Sequence, residues 1–211
     1  LIVTNDPDLA LRSQLIRNHA EAVVADLKQA DLSNLIGHNF RLGEIESAIG
    51  IEQIKKLDYL VQDRANKAKR ISDSLNVVSG LRLPIIKDGC SHSFYIYPMI
   101  LEGELLSIGR EKIAAALKAE GLEGIIEGYQ NVHLLPIFQN KIAYGSSGLP
   151  WTGEFTTREV DYKKGICPTA EYLHDEAFLG YEMCLHKLDD QDLDIVINTF
   201  LKVFLNLDQL K

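Results

Sequence analysis

The sequence predicts an α/β to α+β fold, with one long helical segment beside a small sheet that further helices cover. Three observations carry this expectation. Apolar residues recur at spacings of three and four from Leu42 to Leu75, the pattern of one buried helix face. The run Phe94-Tyr95-Ile96-Tyr97-Pro98-Met99-Ile100 is aromatic and β-branched, as strands are. Asp189 and Asp192 stand ahead of Leu193, Val196, Ile197, Phe200, Val203 and Phe204, the signature of a capped amphipathic helix.

The elements follow in order. Leu1–Val3 reads as a strand closed by Asn5-Asp6-Pro7. Asp6 suits an N-cap and Pro7 the first helical position, so Leu9, Leu11, Leu15 and Ile16 form a short helix ending near Arg17-Asn18-His19. Ala20–Gln29 reads as a weak helix or a connector. The helix from Leu42 exceeds ordinary length, which predicts a break near Leu57-Asp58. Its other face carries Lys55, Lys56, Arg64, Lys67, Lys69 and Arg70, read as solvated. Leu81–Pro84 suits a short strand, and Pro98 places the main strand at an edge or a bulge. Gly109–Gly121 reads as a helix buried through Ile108, Ile113, Ala116 and Leu117. Residues 124–166 are rich in glycine and aromatic side chains and weak in periodicity, which marks an ordered functional region. Pro168–Leu179 then reads as helix and Met183–Leu185 as a brief strand.

Composition excludes several classes of function. The chain has 211 residues, 46% of them hydrophobic and 25% charged, so it can bury a core and is not intrinsically disordered. No apolar run is long enough to span a bilayer. With 22 Lys+Arg against 30 Asp+Glu the net charge is −8, which disfavours nonspecific nucleic-acid binding. Cys90, Cys167 and Cys184 are far apart and form no CxxC, so neither a disulfide framework nor a zinc site is expected, and a reducing cytoplasm fits. The opening inside a strand, without Met, predicts that a further segment precedes Leu1.

Two segments offer chemistry. Gly37-His38-Asn39-Phe40-Arg41 sits in a turn before the long helix. Asn39 can donate to a phosphate oxygen and Arg41 can fork onto phosphate or carboxylate. The same residues also suit an ordinary helix start. Tyr129-Gln130-Asn131-Val132-His133 lies in the irregular region, where His133 is either a structural hydrogen-bonding group or part of a site. Cys167 has no base at a diagnostic spacing and reads as an inert thiol. His19, His174 and His186 read as surface or helix-end groups, His92 and Tyr95 as packing residues. No glycine-rich phosphate loop, GxSxG or HExxH is present. Composition and spacing stop at a soluble domain that offers anion donors.

Several segments, in order, resemble the DegT/StrS-type sugar aminotransferases. Arg17-Asn18-His19 is similar to that family's RNHG, with Ala20 in place of the glycine. The run from Gly37 to Gly50 resembles its GYNYRMTELQAAIG, and Gln53, Leu57 and Arg64 continue the match. Tyr95-Ile96-Tyr97 resembles HLY, and Cys167-Pro168-Thr169-Ala170-Glu171 resembles FPVAE. His133 matches the histidine of YPIPLH, with Tyr129 one residue closer than in that pattern and two prolines missing.

The resemblance implies the C-terminal part of an aspartate-aminotransferase-like, fold type I architecture that binds pyridoxal 5'-phosphate. Residues 1–56 would be the tail of the large cofactor domain and the start of the connecting helix, and 57–211 the small C-terminal α+β domain. It implies a homodimer in which Asn39 reaches the neighbouring subunit's cofactor phosphate and Arg41 faces that subunit's substrate pocket. His133 and Tyr129 would be further substrate-binding residues. The Schiff-base lysine would lie upstream, leaving this chain inactive alone. The implied reaction moves an amino group from glutamate or glutamine to a keto sugar, typically nucleotide-linked. A non-catalytic scaffold, a keto-cyclitol aminotransferase and a sugar dehydratase of the same fold are the alternatives.

Overall fold

A computed structural model describes residues 2–20, 35–153 and 156–210. The chain divides into two compact units, Leu1–Asp58 and Tyr59–Lys211. Most of the Ala20–Gln29 stretch lies outside the described residues.

In the first unit, helix α1 (Pro7–Arg17) starts as the sequence predicts. The Asp6 carboxylate accepts from the backbone N–H of Asp8 at 2.9 Å and of Leu9 at 3.1 Å, and Pro7 needs no donor there. Of the strand expected at Leu1–Val3, the described residues Ile2 and Val3 are not in a strand. Beyond α1 the chain is braced by residues 38–40 instead. Asn18 and Asn39 form an antiparallel bridge, His38 N–H donates to Ile16 O at 2.7 Å and Phe40 N–H to Arg17 O at 2.9 Å. Gly37 permits this approach, because a Cβ there would stand 2.1 Å from the Ala20 nitrogen. Helix α2 (Glu44–Ile54) follows. It buries none of its residues, and Phe40, Leu42, Ile45, Ile49 and Ile54 are all exposed.

The predicted break falls at Lys55-Lys56, two residues early, between α2 and α3 (Leu57–Leu75). The second unit is built on a four-stranded antiparallel sheet in the order β1-β2-β4-β3. The strands are β1 (Leu81–Arg82), β2 (Tyr97–Leu101), β3 (Ile125–Ile126) and β4 (Phe178–Tyr181). Helices α4 (Gly103–Ile108), α5 (Arg110–Ala119) and α8 (Asp190–Phe204) complete the layer, with two short helices, α6 (Pro136–Gln139) and α7 (Pro168–Tyr172), in the long connection. The core is continuous from Ile71 and Leu75 of α3, through Tyr97, Met99 and Leu101 of β2, to Ile113 and Leu117 of α5 and Leu193 and Phe200 of α8. Alternate β2 residues enter it, as a strand's two-residue period requires.

Several expectations need correction. β2 starts at Tyr97, since Phe94 takes a positive φ of 47° that ends extended pairing. Pro98 sits in an interior strand. It is tolerated because β1 pairs only Leu101 and Ile100, leaving no ladder partner on that side of Pro98. The helix expected over Gly109–Gly121 forms as α5, but Ile108, counted on its buried side, belongs to a separate helix, α4. Pro168–Leu179 is not one helix: α7 passes into a π-turn, Leu173–Ala177, and Phe178 already belongs to β4. Met183–Leu185 is not a strand. The basic residues of α3 lie on its solvent side, as expected, and several also carry acidic partners. Lys67 meets Asp63 at 2.5 Å, and Arg70 reaches Asp190 at 2.5 Å and Asp194 at 2.7 Å on α8.

The Asp189–Asp192 pair forms the predicted reciprocal cap, with Asp192 N–H to Asp189 at 2.9 Å and Asp189 N–H to Asp192 at 3.0 Å. Tyr97 is fully buried, with its hydroxyl 2.7 Å from Ser72 Oγ on α3. Burial raises its pKa to about 12. A group whose folded value lies above its unfolded one, ordinarily about 10, supports the fold below pH 10 and loses that contribution as pH rises through the folded value. Stability therefore falls between about pH 10 and 12. Tyr97→Phe flattens the decline of the urea midpoint over that range. Tyr181, raised in the same sense by burial, leaves a residual slope.

Candidate functional site

The first unit holds Asn39 and Arg41 on the turn between the Asn18 bridge and α2. Asn39 Oδ1 accepts from Arg41 N–H at 3.4 Å, and the Asn39 amide nitrogen has no partner among the described residues. Arg41 Nη1 donates to Asn18 Oδ1. Both Asn39 and Arg41 are exposed. Asn18 thus holds the guanidinium, whose remaining N–H groups have no hydrogen-bond partner among the described residues. The helix end itself contributes less than expected. Glu44 and Glu46 occupy the first turn of α2 and already supply the negative charge that a helix N-terminus favours. The anion donors here are the two side chains.

The second unit centres on a buried histidine–carboxylate pair. His133 lies in a 3-10 turn, Val132–Leu134, and its Nε2 is 2.9 Å from Glu171 Oε1 on α7. Their side chains are 11% and 8% exposed. Glu171 also accepts from the backbone N–H of Gly165 at 2.8 Å and of Cys167 at 3.2 Å. Burial alone would raise the Glu171 pKa. The Gly165 N–H, His133 and the Cys167 N–H outweigh it and hold the carboxyl below its usual range.

A second network adjoins the first. Asp175, in the π-turn, takes Lys164 Nζ at 2.7 Å and Asn131 Nδ2 at 3.4 Å. The Lys164 hydrogen bond is the main reason its pKa lies below the usual range. Arg110, at the start of α5 and only 8% exposed, donates to the carbonyls of His174 at 2.5 Å and Asp175 at 3.3 Å. π-Turns inside helices are rare and cluster at functional sites. Here the guanidinium supplies donors to that turn's carbonyls.

The described residues of the 124–166 region are tied together by their own side chains, in keeping with its aromatic content. Gln139 Nε2 reaches the carbonyls of His133 and Tyr162, each at 2.7 Å. Trp151 Nε1 donates to the Tyr162 hydroxyl at 2.9 Å, and Phe138 packs on both rings. A cleft of about 310 Å³ on this loop is lined by Lys141, Trp151, Thr156, Thr157, Arg158 and Glu159, among others.

Of the four site residues read from the sequence, Asn39 and Arg41 adjoin each other in one unit, and His133 sits in the buried pair of the other. Tyr129 is not drawn into that pair: it is 90% exposed. Sequence reading missed Asn18 as the partner of Arg41. It also gave no role to Glu171, whose only signal was its place in the CPTAE segment.

The DegT/DnrJ/EryC1/StrS aminotransferase family profile matches residues 1–165. The chain belongs to this family. A UDP-4-amino-4,6-dideoxy-N-acetyl-beta-L-altrosamine transaminase of Helicobacter pylori is 31% identical over 144 residues, 67% of this chain and 35% of that protein. The L-glutamine:scyllo-inosose aminotransferase of Streptomyces griseus is 24% identical over 97% of this chain and 49% of its own length. Among solved structures, DesV of S. venezuelae superposes with a TM-score of 0.69 at 20% identity, covering 96% of this chain and 46% of DesV. That likeness establishes the fold. The chain spans half or less of the length of the curated relatives it matches. Among the described residues, no helix of this family member is long and apolar enough to cross a membrane.

Proposed function

We propose that this chain is the C-terminal portion of a pyridoxal-phosphate-dependent sugar aminotransferase. The reaction moves an amino group from glutamate or glutamine to a keto sugar, typically nucleotide-linked, for amino-sugar or surface-polysaccharide synthesis. The observation that carries this reading is the placement of Asn39 and Arg41. Within a family match over residues 1–165, the turn before α2 presents the Asn39 amide nitrogen, without a partner among the described residues, and one exposed guanidinium braced by Asn18. That donor set fits a phosphate, so the cofactor is tested on this chain's own residues. Asn39 would hold the cofactor phosphate of a neighbouring subunit in a cytoplasmic homodimer. Arg41 would face the same subunit's sugar.

Pyridoxal phosphate, when bound, supplies the electron sink that makes amino transfer accessible. This chain's residues bind and orient. Asn39 fixes the phosphate, Arg41 neutralises an anionic group of the acceptor, and His133 and Tyr129 contact the sugar. The lysine that anchors the cofactor belongs to a part of the protein outside these 211 residues, so the chain alone does not turn over. A keto-cyclitol acceptor is the second reading, favoured by the scyllo-inosose relative that aligns with 97% of the chain.

The test uses the intact protein with pyridoxal phosphate, glutamate or glutamine, and a panel of keto sugars and keto-cyclitols. Arg41→Ala lowers kcat/KM for the acceptor about 100-fold, the loss expected when one charged hydrogen-bonding partner is removed, while the bound-cofactor absorbance persists. Unchanged acceptor kinetics remove Arg41 from the site. Transfer to a cyclitol but to no sugar selects the second reading.

A further inference from the structure

The His133–Glu171 pair fixes more than a position. An ionised carboxylate only accepts hydrogen bonds. Glu171 already accepts from two backbone N–H groups, and these hold it in the charged form. Its contact with His133 at 2.9 Å therefore needs a hydrogen on Nε2. In the neutral ring the other nitrogen, Nδ1, then carries a lone pair. Nδ1 has no hydrogen-bond partner among the described residues, and the His133 side chain keeps 11% of its surface exposed. The backbone around it is held as well, since Gln139 binds the His133 carbonyl at 2.7 Å.

We propose that Glu171 is a positioning residue that keeps the proton of neutral His133 on Nε2, so that His133 meets its ligand through Nδ1 as a hydrogen-bond acceptor. The matching ligand group is a donor: a hydroxyl of the acceptor sugar, not a phosphate or carboxylate oxygen. This assignment rests on the sugar-aminotransferase reading. By chemistry, Arg41 is suited to anionic groups and His133 to a hydroxyl.

The first experiment needs only this chain. Nitrogen-detected imidazole spectra at about pH 8.5, above the ordinary histidine range, report the tautomer of each histidine. His133 is expected as the Nε2–H form by at least about tenfold, the ratio one net hydrogen bond sustains. Glu171→Leu keeps a similar volume and removes both acceptor oxygens, and is expected to bring the two forms to comparable populations. An Nδ1–H tautomer in the unsubstituted chain overturns the assignment whether or not the variant folds, as does an unchanged tautomer in a folded Glu171→Leu chain.

In the intact protein, Glu171→Leu is expected to raise KM for the keto sugar about tenfold while cofactor absorbance and the half-reaction with the amino donor stay unchanged. A deoxy acceptor lacking the read hydroxyl closes the gap between variant and parent. Equal KM values for parent and variant overturn the ligand assignment. Absence of amino transfer to any keto sugar in the parent protein overturns the functional reading instead, and the tautomer result does not depend on it.

Discussion

Phe200→Ala is expected to lower the stability of the second unit by about 3–5 kcal/mol. Phe200 is fully buried on α8. Its ring stacks on Phe204 with centroids 5.9 Å apart and meets Tyr181 of β4 edge-on at 5.7 Å. Truncation removes apolar area and leaves a cavity at the junction of helix and sheet, where close packing allows little collapse. At about 2–4 °C per kcal/mol for a chain of this size, the melting temperature falls by about 10 °C. Ile195→Ala is the control on the same helix: Ile195 is 65% exposed, and its loss costs no more than about 0.5 kcal/mol. Thermal unfolding followed by circular dichroism separates the two. Equal shifts would contradict the packing described for α8.

Arg110→Met is expected to cost about 2–3 kcal/mol, because it preserves a buried apolar stem and deletes two charged donors. The carbonyls of His174 and Asp175 then lose partners that water cannot fully replace at a site only 8% exposed. The consequence reaches beyond stability. Asp175 ties Lys164 and Asn131 to the π-turn, so loosening that turn loosens both loops that flank His133. Hydrogen exchange is expected to rise at residues 174–177 and along 163–167, while β1 and α3 stay protected. Uniform protection, or uniform loss, would contradict the proposed local role of the guanidinium.

The sequence made some of this legible because the deciding physics is local. The α8 cap needs only Asp189 and Asp192, three residues apart, and the helix face follows from spacing. α1 begins where Asp6-Pro7 places it. The strand β4 was hidden for the opposite reason. Gly180 gives no strand signal, yet a Cβ there would meet Ile96 Cγ2 at 2.9 Å, so tertiary crowding selects a residue of poor strand propensity. The π-turn was hidden because its carbonyls are satisfied by Arg110, about sixty residues earlier in the chain. The sites follow the same rule. Asn39 and Arg41 are proposed from side-chain chemistry beside a helix start. Their brace Asn18 and the His133–Glu171 pair join positions 23 and 38 residues apart, which no spacing rule encodes. Tyr129 matched by sequence pattern, but its exposed position gives it no partner among the described residues.

The central claim is that this chain supplies phosphate and sugar contacts while the lysine that anchors the cofactor lies elsewhere in the protein. Borohydride trapping tests it most directly. The purified 211-residue chain is incubated with pyridoxal phosphate, its visible absorbance is recorded, and reduction is followed by peptide mapping. The account predicts no stoichiometric, site-specific adduct at any lysine of this chain. One lysine modified to completion within these residues would contradict it, and would make the chain itself the catalytic unit.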